Sequence, residues 1–301
     1  MAFFSVITPT FNRAPMLKDA IESVLIQDFK ELEHIIIDNG STDETSRIVE
    51  DYAREFPNIH FISLPKPNLP RAINEGLIKS RGRVIGILCD DDLYPQGALQ
   101  AIAQVFHDNK EVDIVSTGIQ IVRNIGNQFI VEKEAYPKFS VHDLLFHTPY
   151  ESARFLRRSL IYKVGLLNED LGVSSQREWL LRIALTDPKI FYLNRVCYIL
   201  RRHSHSLTWN FDPYSKLKWL PNHIRIARHY LKVVNDVNLR QIFKEWSNRQ
   251  SYAGFRLSLK RGMLKKSLWF IIHGHINDPA MTSKIICQAI KRRTKRHGYA
   301  H

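Results

Sequence analysis

Phe3-Phe4-Ser5-Val6-Ile7-Thr8 is an apolar, partly β-branched run that reads as a strand. It stops at Pro9-Thr10-Phe11-Asn12-Arg13, a polar turn, and a helical pattern follows from Pro15 to Gln27. The same unit recurs down the chain. Strands are expected at Glu33 to Asp38, Ile59 to Leu64, Val84 to Leu88 and Asp113 to Thr117, and helices at Asp43 to Phe56, Pro70 to Ser80 and Pro95 to Asp108. Pro15, Pro70 and Pro95 suit a first helical turn. Ser41 followed by Glu44 is a capping-box pattern that would start the second helix. Strand–helix alternation implies an α/β fold with a parallel, right-handed, doubly wound sheet. Ligands of such sheets bind outside the carboxyl ends of the strands. Three polar clusters fall at those ends: Thr8 to Arg13, Asp38-Asn39-Gly40-Ser41-Thr42-Asp43, and Cys89-Asp90-Asp91-Asp92.

Past about residue 210 the pattern changes. Tyr214 to Val234, Leu239 to Arg261 and Leu264 to Gly274 carry amphipathic helical spacing, and Lys291-Arg292-Arg293-Thr294-Lys295-Arg296 is a basic run. The expected organisation is a catalytic domain over 1–210 and a basic helical region over 211–301. The net charge of +13 is uneven: residues 1–143 balance at −7 and residues 144–301 at +20. A basic second half suits an anionic partner such as a phospholipid surface or a pyrophosphate-bearing substrate, and equally a solvated face. The three cysteines, Cys89, Cys197 and Cys287, form no C-x-x-C pair, which argues against structural zinc or a disulfide framework and fits a reducing compartment. The longest strictly apolar run near the C-terminus, Leu268 to Ile272, is far short of the ~20 residues of a membrane span. No charged segment precedes an apolar stretch at the start. A cytoplasmic protein is expected, soluble or peripheral on the inner face of the membrane.

Asp90-Asp91-Asp92 carries the chemistry most clearly. Consecutive carboxylates at a strand end repel one another unless a cation neutralises them, and hard oxygen ligands favour Mg²⁺ or Mn²⁺ bridging to substrate phosphates. Asp38 at a strand end can accept from a base N–H or a ribose hydroxyl. Arg71 and Asn74 lie one helical turn apart near a helix start, where both can face a pyrophosphate. There is no G-x-G-x-x-G after the first strand and no G-x-x-x-x-G-K-[ST], which disfavours dinucleotide oxidoreductases and P-loop ATPases.

Four stretches together resemble the inverting GT-A glycosyltransferases of the large family 2 group: Ser5 to Arg13, Ile37 to Asp43, Arg71-Ala72-Ile73-Asn74-Glu75-Gly76, and Asp90-Asp91-Asp92-Leu93-Tyr94-Pro95. The resemblance implies a GT-A fold, Rossmann-like with a doubly wound, mostly parallel sheet, here with a C-terminal helical extension. It implies transfer of a sugar, with inversion, from a nucleotide-diphosphate donor (a UDP-sugar foremost) to an acceptor hydroxyl in surface polysaccharide or glycolipid assembly. Thr8, Pro9, Arg13, Asp38, Arg71, Asn74, Asp90 and Asp91 are then donor-binding residues. Mn²⁺ or Mg²⁺ is the implied cofactor. Asp92 is its foremost ligand in a D-x-D-type motif, with Asp90 or Asp91 facing the ribose or the metal. His203 in Arg202-His203-Ser204-His205-Ser206-Leu207-Thr208 matches a family histidine that reaches the metal or diphosphate. Two departures are Asn39 and Cys89, each where the family often has an acid. A third is Gln176 in Ser174-Ser175-Gln176-Arg177-Glu178-Trp179-Leu180-Leu181-Arg182, which occupies the position of the family's carboxylate base. Glutamine takes no proton, and Glu178 is the nearest carboxylate, unless it serves an i,i+4 ion pair with Arg182.

The expected partners are a nucleotide-sugar donor and a saccharide or lipid-linked saccharide acceptor, with peripheral membrane contact through the C-terminal region, where Trp269-Phe270-Ile271-Ile272 lies beside Lys265-Lys266. No nucleic acid is expected. Three rivals remain. A nucleotidyltransferase would need a glycine-rich loop after the first strand. A nucleic-acid-binding protein would use the basic half without a divalent metal. A non-catalytic sugar-nucleotide binder would have lost its base, as Gln176 suggests.

Overall fold

The computed structural model describes residues 2–125, 128–149, 151–203 and 214–278. The chain forms two compact units, Met1–Trp209 and Asn210–His301.

The first unit is an eight-stranded sheet. Its strands are β1 (Phe4–Thr10), β2 (Leu32–Asp38), β3 (Ile59–Ser63), β4 (Val84–Ile87), β5 (Ile114–Ile125), β6 (Gln128–Ala135), β7 (Arg154–Arg157) and β8 (Ile190–Arg202). The order is β3-β2-β1-β4-β7-β5-β6, and β8 pairs with β5. β1, β2, β3 and β4 pair in parallel, as do β5 and β8. β7 enters antiparallel between β4 and β5, and β6 is antiparallel to β5. The helices are α1 (Ala14–Leu25), α2 (Thr45–Glu55), α3 (Leu69–Lys79), α4 (Ala98–Asp108), α5 (Val141–Phe146), α6 (Arg158–Val164) and α7 (Ser175–Ala184). Every residue of β1 and β2 is buried, because helices cover both faces of the sheet. Phe4, Val6, Leu99, Ile102 and Phe106 lie in one core cluster, and Leu17, Ile21, Ile36, Val49 and Ile59 in another. Gly76 is required by close approach: a Cβ there would come within 2.4 Å of Ile7 Cγ2 and 2.9 Å of Ile37 Cδ1, so α3 can lie flat on β1 and β2.

Two local expectations are corrected. Ser41 does not cap α2; Asp43 Oδ1 accepts the Thr45 N–H at 3.0 Å instead, and the Ser41 hydroxyl accepts from Asn12 N–H at 2.9 Å. Pro95 precedes α4 rather than opening it. Its carbonyl accepts the Ala98 N–H at 3.1 Å, and Gly97 turns the chain at φ +74°. Pro15 and Pro70 do sit in the first turns of α1 and α3, and Asn68 caps α3 by accepting the Arg71 N–H at 3.2 Å.

His34 on β2 is fully buried, with Nε2 2.9 Å from Thr8 Oγ1. Burial pushes its pKa down to about 3 from 6.5. Between these values the unfolded state binds the proton and the folded state does not. Stability is therefore complete above pH 6.5 and falls as pH drops toward 3, by about 2 kcal/mol at pH 5. Melting curves at pH 7.5 and pH 5 should show this loss, and His34→Gln should flatten it. An equal slope in both proteins would remove His34 as the cause.

The second unit holds α8 (Leu220–Val233), α9 (Val237–Lys260) and α10 (Leu264–Asn277). Small residues line one side of α9, with Ser247, Ser251, Gly254 and Ser258 buried, and Phe270 packs against Gly254. The Ser258 and Ser267 hydroxyls meet at 2.9 Å. Trp269 and Phe270, expected at a membrane interface, instead pack with the core of this unit. The basic run at 291–296 lies outside the described residues. Among those residues no helix is long and apolar enough to cross a membrane.

Candidate functional site

The ends of β1, β2 and β4 meet at one edge of the sheet. The first two loops are laced together. Asn12 adopts φ +51°, a left-handed conformation that asparagine tolerates, and its side-chain oxygen accepts the Thr42 N–H at 2.8 Å. Arg13 N–H donates to Thr45 Oγ1 at 3.0 Å. Asp38 ends β2 almost fully buried. Its carboxylate accepts from Ser41 N–H at 2.9 Å and from the Ser46 hydroxyl, so it shapes the turn from within. Thr8 and Pro9 are buried inside β1, beneath the edge rather than on it. Phe11, which sequence reasoning passed over as part of a turn, projects here with 41% of its surface exposed.

The acid loop follows β4. Asp90 Oδ2 accepts the Phe11 N–H at 3.3 Å, and the Arg13 guanidinium lies 3.7 Å from Asp90 and 3.9 Å from Asp91. His203 Nε2 is 3.0 Å from Asp91 Oδ2. Residues 204–208, the rest of the stretch that resembles the family's histidine motif, lie outside the described residues. Burial pushes the Asp90 carboxyl up to about 7, and the neighbouring charge of Asp91 adds to the shift.

Asp92, the expected metal ligand, is tied to β8. It is buried; Oδ2 accepts the Tyr198 hydroxyl at 2.5 Å and Oδ1 accepts the Arg201 N–H at 2.8 Å. Burial, then Asp91, raises its pKa well above the usual carboxylate range. Each oxygen is anchored to β8 and keeps a further lone pair, so Asp92 fastens the loop and still counts among the possible metal ligands, while Asp91 lies at the loop's outer side. Arg201 completes the fastening. It is 4% exposed, and its guanidinium donates to the Asp91 carbonyl, to Asp19, and to the Met16 carbonyl at 3.0 Å. Sequence reasoning missed Arg201, because an arginine in the run Leu200-Arg201-Arg202 carries no sign of burial.

Two further expectations change. Arg71 lies exposed in the first turn of α3, but Asn74 turns inward. Its amide donates to Leu167 O at 3.0 Å and Glu169 at 3.1 Å, and accepts the Leu167 N–H at 2.8 Å. With those groups occupied it positions the segment before α7 and does not face a pyrophosphate. Gln176 sits half-buried in the first turn of α7. Glu178 takes the ion-pair role: its oxygens lie 3.0 and 3.1 Å from Arg182 Nε, and Arg182 reaches on to the carbonyls of Val164 and Leu166. That strut joins α7 to the end of α6 and speaks against Glu178 as the proton acceptor.

Among the described residues two groups have donor atoms close enough to hold a metal ion. One is the largely exposed trio His142, Asp143 and His147; the other is Cys89, Asp91 and Asp92, with ligand atoms within 4.8 Å of one another. Asp91 is thus common to the second group and to the His203 contact.

The family model "Glycosyl transferase family 2" matches residues 5–165. GalNAc(5)-diNAcBac-PP-undecaprenol beta-1,3-glucosyltransferase of Campylobacter jejuni is 26% identical over 304 residues, covering 95% of this chain and 93% of that protein. Minor teichoic acid biosynthesis protein GgaA of Bacillus subtilis is 38% identical over 117 residues, 37% of this chain and 26% of that one. Among solved structures, S. aureus TarS 1-349 in complex with UDP-GlcNAc aligns with TM-score 0.58 at 16% identity, over 94% of this chain and 91% of that one. Mannosyltransferase PcManGT from Pyrobaculum calidifontis, in complex with GDP-Man and Mn²⁺, aligns with TM-score 0.60 at 16% identity, over 96% and 86%. The mostly parallel sheet with flanking helices matches these GT-A structures. The chain therefore belongs to glycosyl transferase family 2 and is a glycosyltransferase of GT-A fold.

Proposed function

We propose that the enzyme moves a sugar from a UDP-sugar to a hydroxyl of a lipid-linked saccharide, with inversion at the anomeric carbon, in surface polysaccharide or glycolipid assembly. The observation that carries this reading is the convergence of Arg13, Asp90, Asp91 and His203 at the carboxyl edge of the sheet. The Campylobacter relative, named for an undecaprenol-linked acceptor, supports the lipid-linked class, and TarS bound to UDP-GlcNAc supports the donor class.

The residues present fit a divalent cation. Hard carboxylate oxygens lie beside an imidazole, and Asp90 is held up near 7 by burial and then by the charge of Asp91, which a cation would offset. Asp91 and Asp92, whose ligand atoms lie within 4.8 Å of one another, with His203 3.0 Å from Asp91 and Asp90 alongside, would hold Mn²⁺ or Mg²⁺, which supplies positive charge for the departing diphosphate. The laced loops after β1 and β2 would receive uridine, with Thr8 and Pro9 as the floor and Asp38 ordering the turn. Arg13 and Arg71 would contribute charge toward the diphosphate. In the transfer a bond forms from the acceptor oxygen to the anomeric carbon, the bond to the diphosphate oxygen breaks, and the acceptor's proton passes to water.

Incubation with a panel of nucleotide sugars and undecaprenol-linked saccharides tests this. UDP should be released only with acceptor present, and an α-linked donor should yield a β-linked product by NMR. Turnover with retention, or with a GDP-sugar alone, would sink the respective part. Gln176 favours a second reading, a sugar-nucleotide binder without a base. It predicts donor binding without turnover, and turnover appearing in Gln176→Asp.

A further inference from the structure

Between Trp246 and Asn277 the sequence holds six Lys and Arg and no Asp or Glu. Arg256, Lys260, Arg261 and Lys265 are exposed. On α10, Leu264, Leu268 and Ile272 are 68%, 57% and 47% exposed. Their spacing of four places them on one stripe, about 12 Å long. Leu259 and Met263, also exposed, flank the Gly262 turn that leads into the same helix. The opposite side of α10 is the packed one, with Ser267 and Phe270 buried against α9. Apolar side chains left in water beside a purely cationic stretch are the pattern of a helix that lies in a membrane interface.

From this pattern we infer that the α9–α10 turn and the Leu264–Leu268–Ile272 stripe dock on an anionic phospholipid bilayer, with the leucines and isoleucine among the acyl chains and the Lys and Arg side chains at the headgroups. Charge selects this occupant. A second copy of the chain would bring the same positive face and repel it, and nucleic acid offers no apolar phase for the stripe. The surface deepens the reading that the acceptor is lipid-linked and rests on that reading for its purpose, while its evidence is separate.

The test is co-sedimentation of the full chain with vesicles of phosphatidylcholine, with and without phosphatidylglycerol. The chain should bind the anionic vesicles, release at high salt, and bind neutral ones weakly. Leu264→Ser with Leu268→Ser should weaken binding about tenfold or more, and Lys260→Gln with Lys265→Gln should reduce its salt dependence. Unchanged helical circular dichroism and melting curves in these variants show that they fold. Indifference to anionic lipid, or binding unmoved by the leucine changes, would overturn the surface. So would self-association that the leucine changes abolish in a chain that ignores vesicles. Vesicle binding with transfer only to soluble saccharides keeps the surface and removes the lipid-linked acceptor.

Discussion

Asp91→Ala is expected to lower sugar transfer by about 10³-fold or more, equivalent to roughly 4 kcal/mol of transition-state stabilisation, in a protein that still folds. Asp91 lies on the outer side of the acid loop, next to His203 and within 3.9 Å of Arg13. Its main-chain carbonyl, not its side chain, carries the anchor to Arg201. Removing the carboxylate therefore strips charge from the site and leaves the loop's fastening in place. Repulsion on Asp90 and Asp92 is relieved as well, since Asp91 raises the pKa of both. Thermal stability should be equal to that of the natural chain or slightly higher. Initial rates at saturating donor, with melting curves alongside, read both effects. A rate within tenfold of the natural enzyme would take Asp91 out of the reaction.

Arg201→Met is expected to be the most damaging single change to the frame of the site, at about 3 kcal/mol. The buried guanidinium donates to two main-chain carbonyls and to Asp19. Methionine fills part of the volume and leaves the carbonyls of Asp91 and Met16 without those donors. The Asp19 pair adds little, because that carboxylate is half exposed. For a unit of this size the melting temperature should fall by about 6–12 °C. Transfer should fall too, since the Asp91 carbonyl loses its anchor. Arg202 is the control: it pairs with Glu132 at 3.0 Å near the surface, and Arg202→Met should cost under about 1 kcal/mol. Equal melting temperatures for the two variants would show that Arg201 does not fasten the loop.

The front of the fold was legible because its strands are local and two-sided. β1, β2 and β4 are buried throughout and mostly apolar, each is followed by a polar cluster, and each cluster lies at the edge where the sheet places it. β7 left no such trace. Its buried Arg154 bonds to the carbonyls of Lys138 and Pro149 and its half-buried Arg157 to those of Val112 and Asn109, so two charges bound a strand with only two apolar residues between them. β5 runs well past the expected Thr117 because its second half is held by β6, the hairpin partner that follows it, and by β8, which is distant in sequence. The uses of Asp92 and Asn74 were hidden for the same reason. Their partners lie about a hundred residues downstream, and a carboxylate or amide at a loop looks the same whether it faces a ligand or a distant strand. Glu178 and Arg182 were readable as a pair from their spacing, and the geometry selects that role.

The central claim is that the carboxyl edge of the sheet holds a nucleoside diphosphate through a cation bound at Asp91. Calorimetric titration of UDP into the full chain, with and without Mn²⁺, on the natural protein and on Asp91→Ala, tests it most directly. Binding that needs Mn²⁺ and disappears in Asp91→Ala is the predicted result. UDP binding of equal strength with and without the metal, or unchanged by the substitution, would contradict the claim.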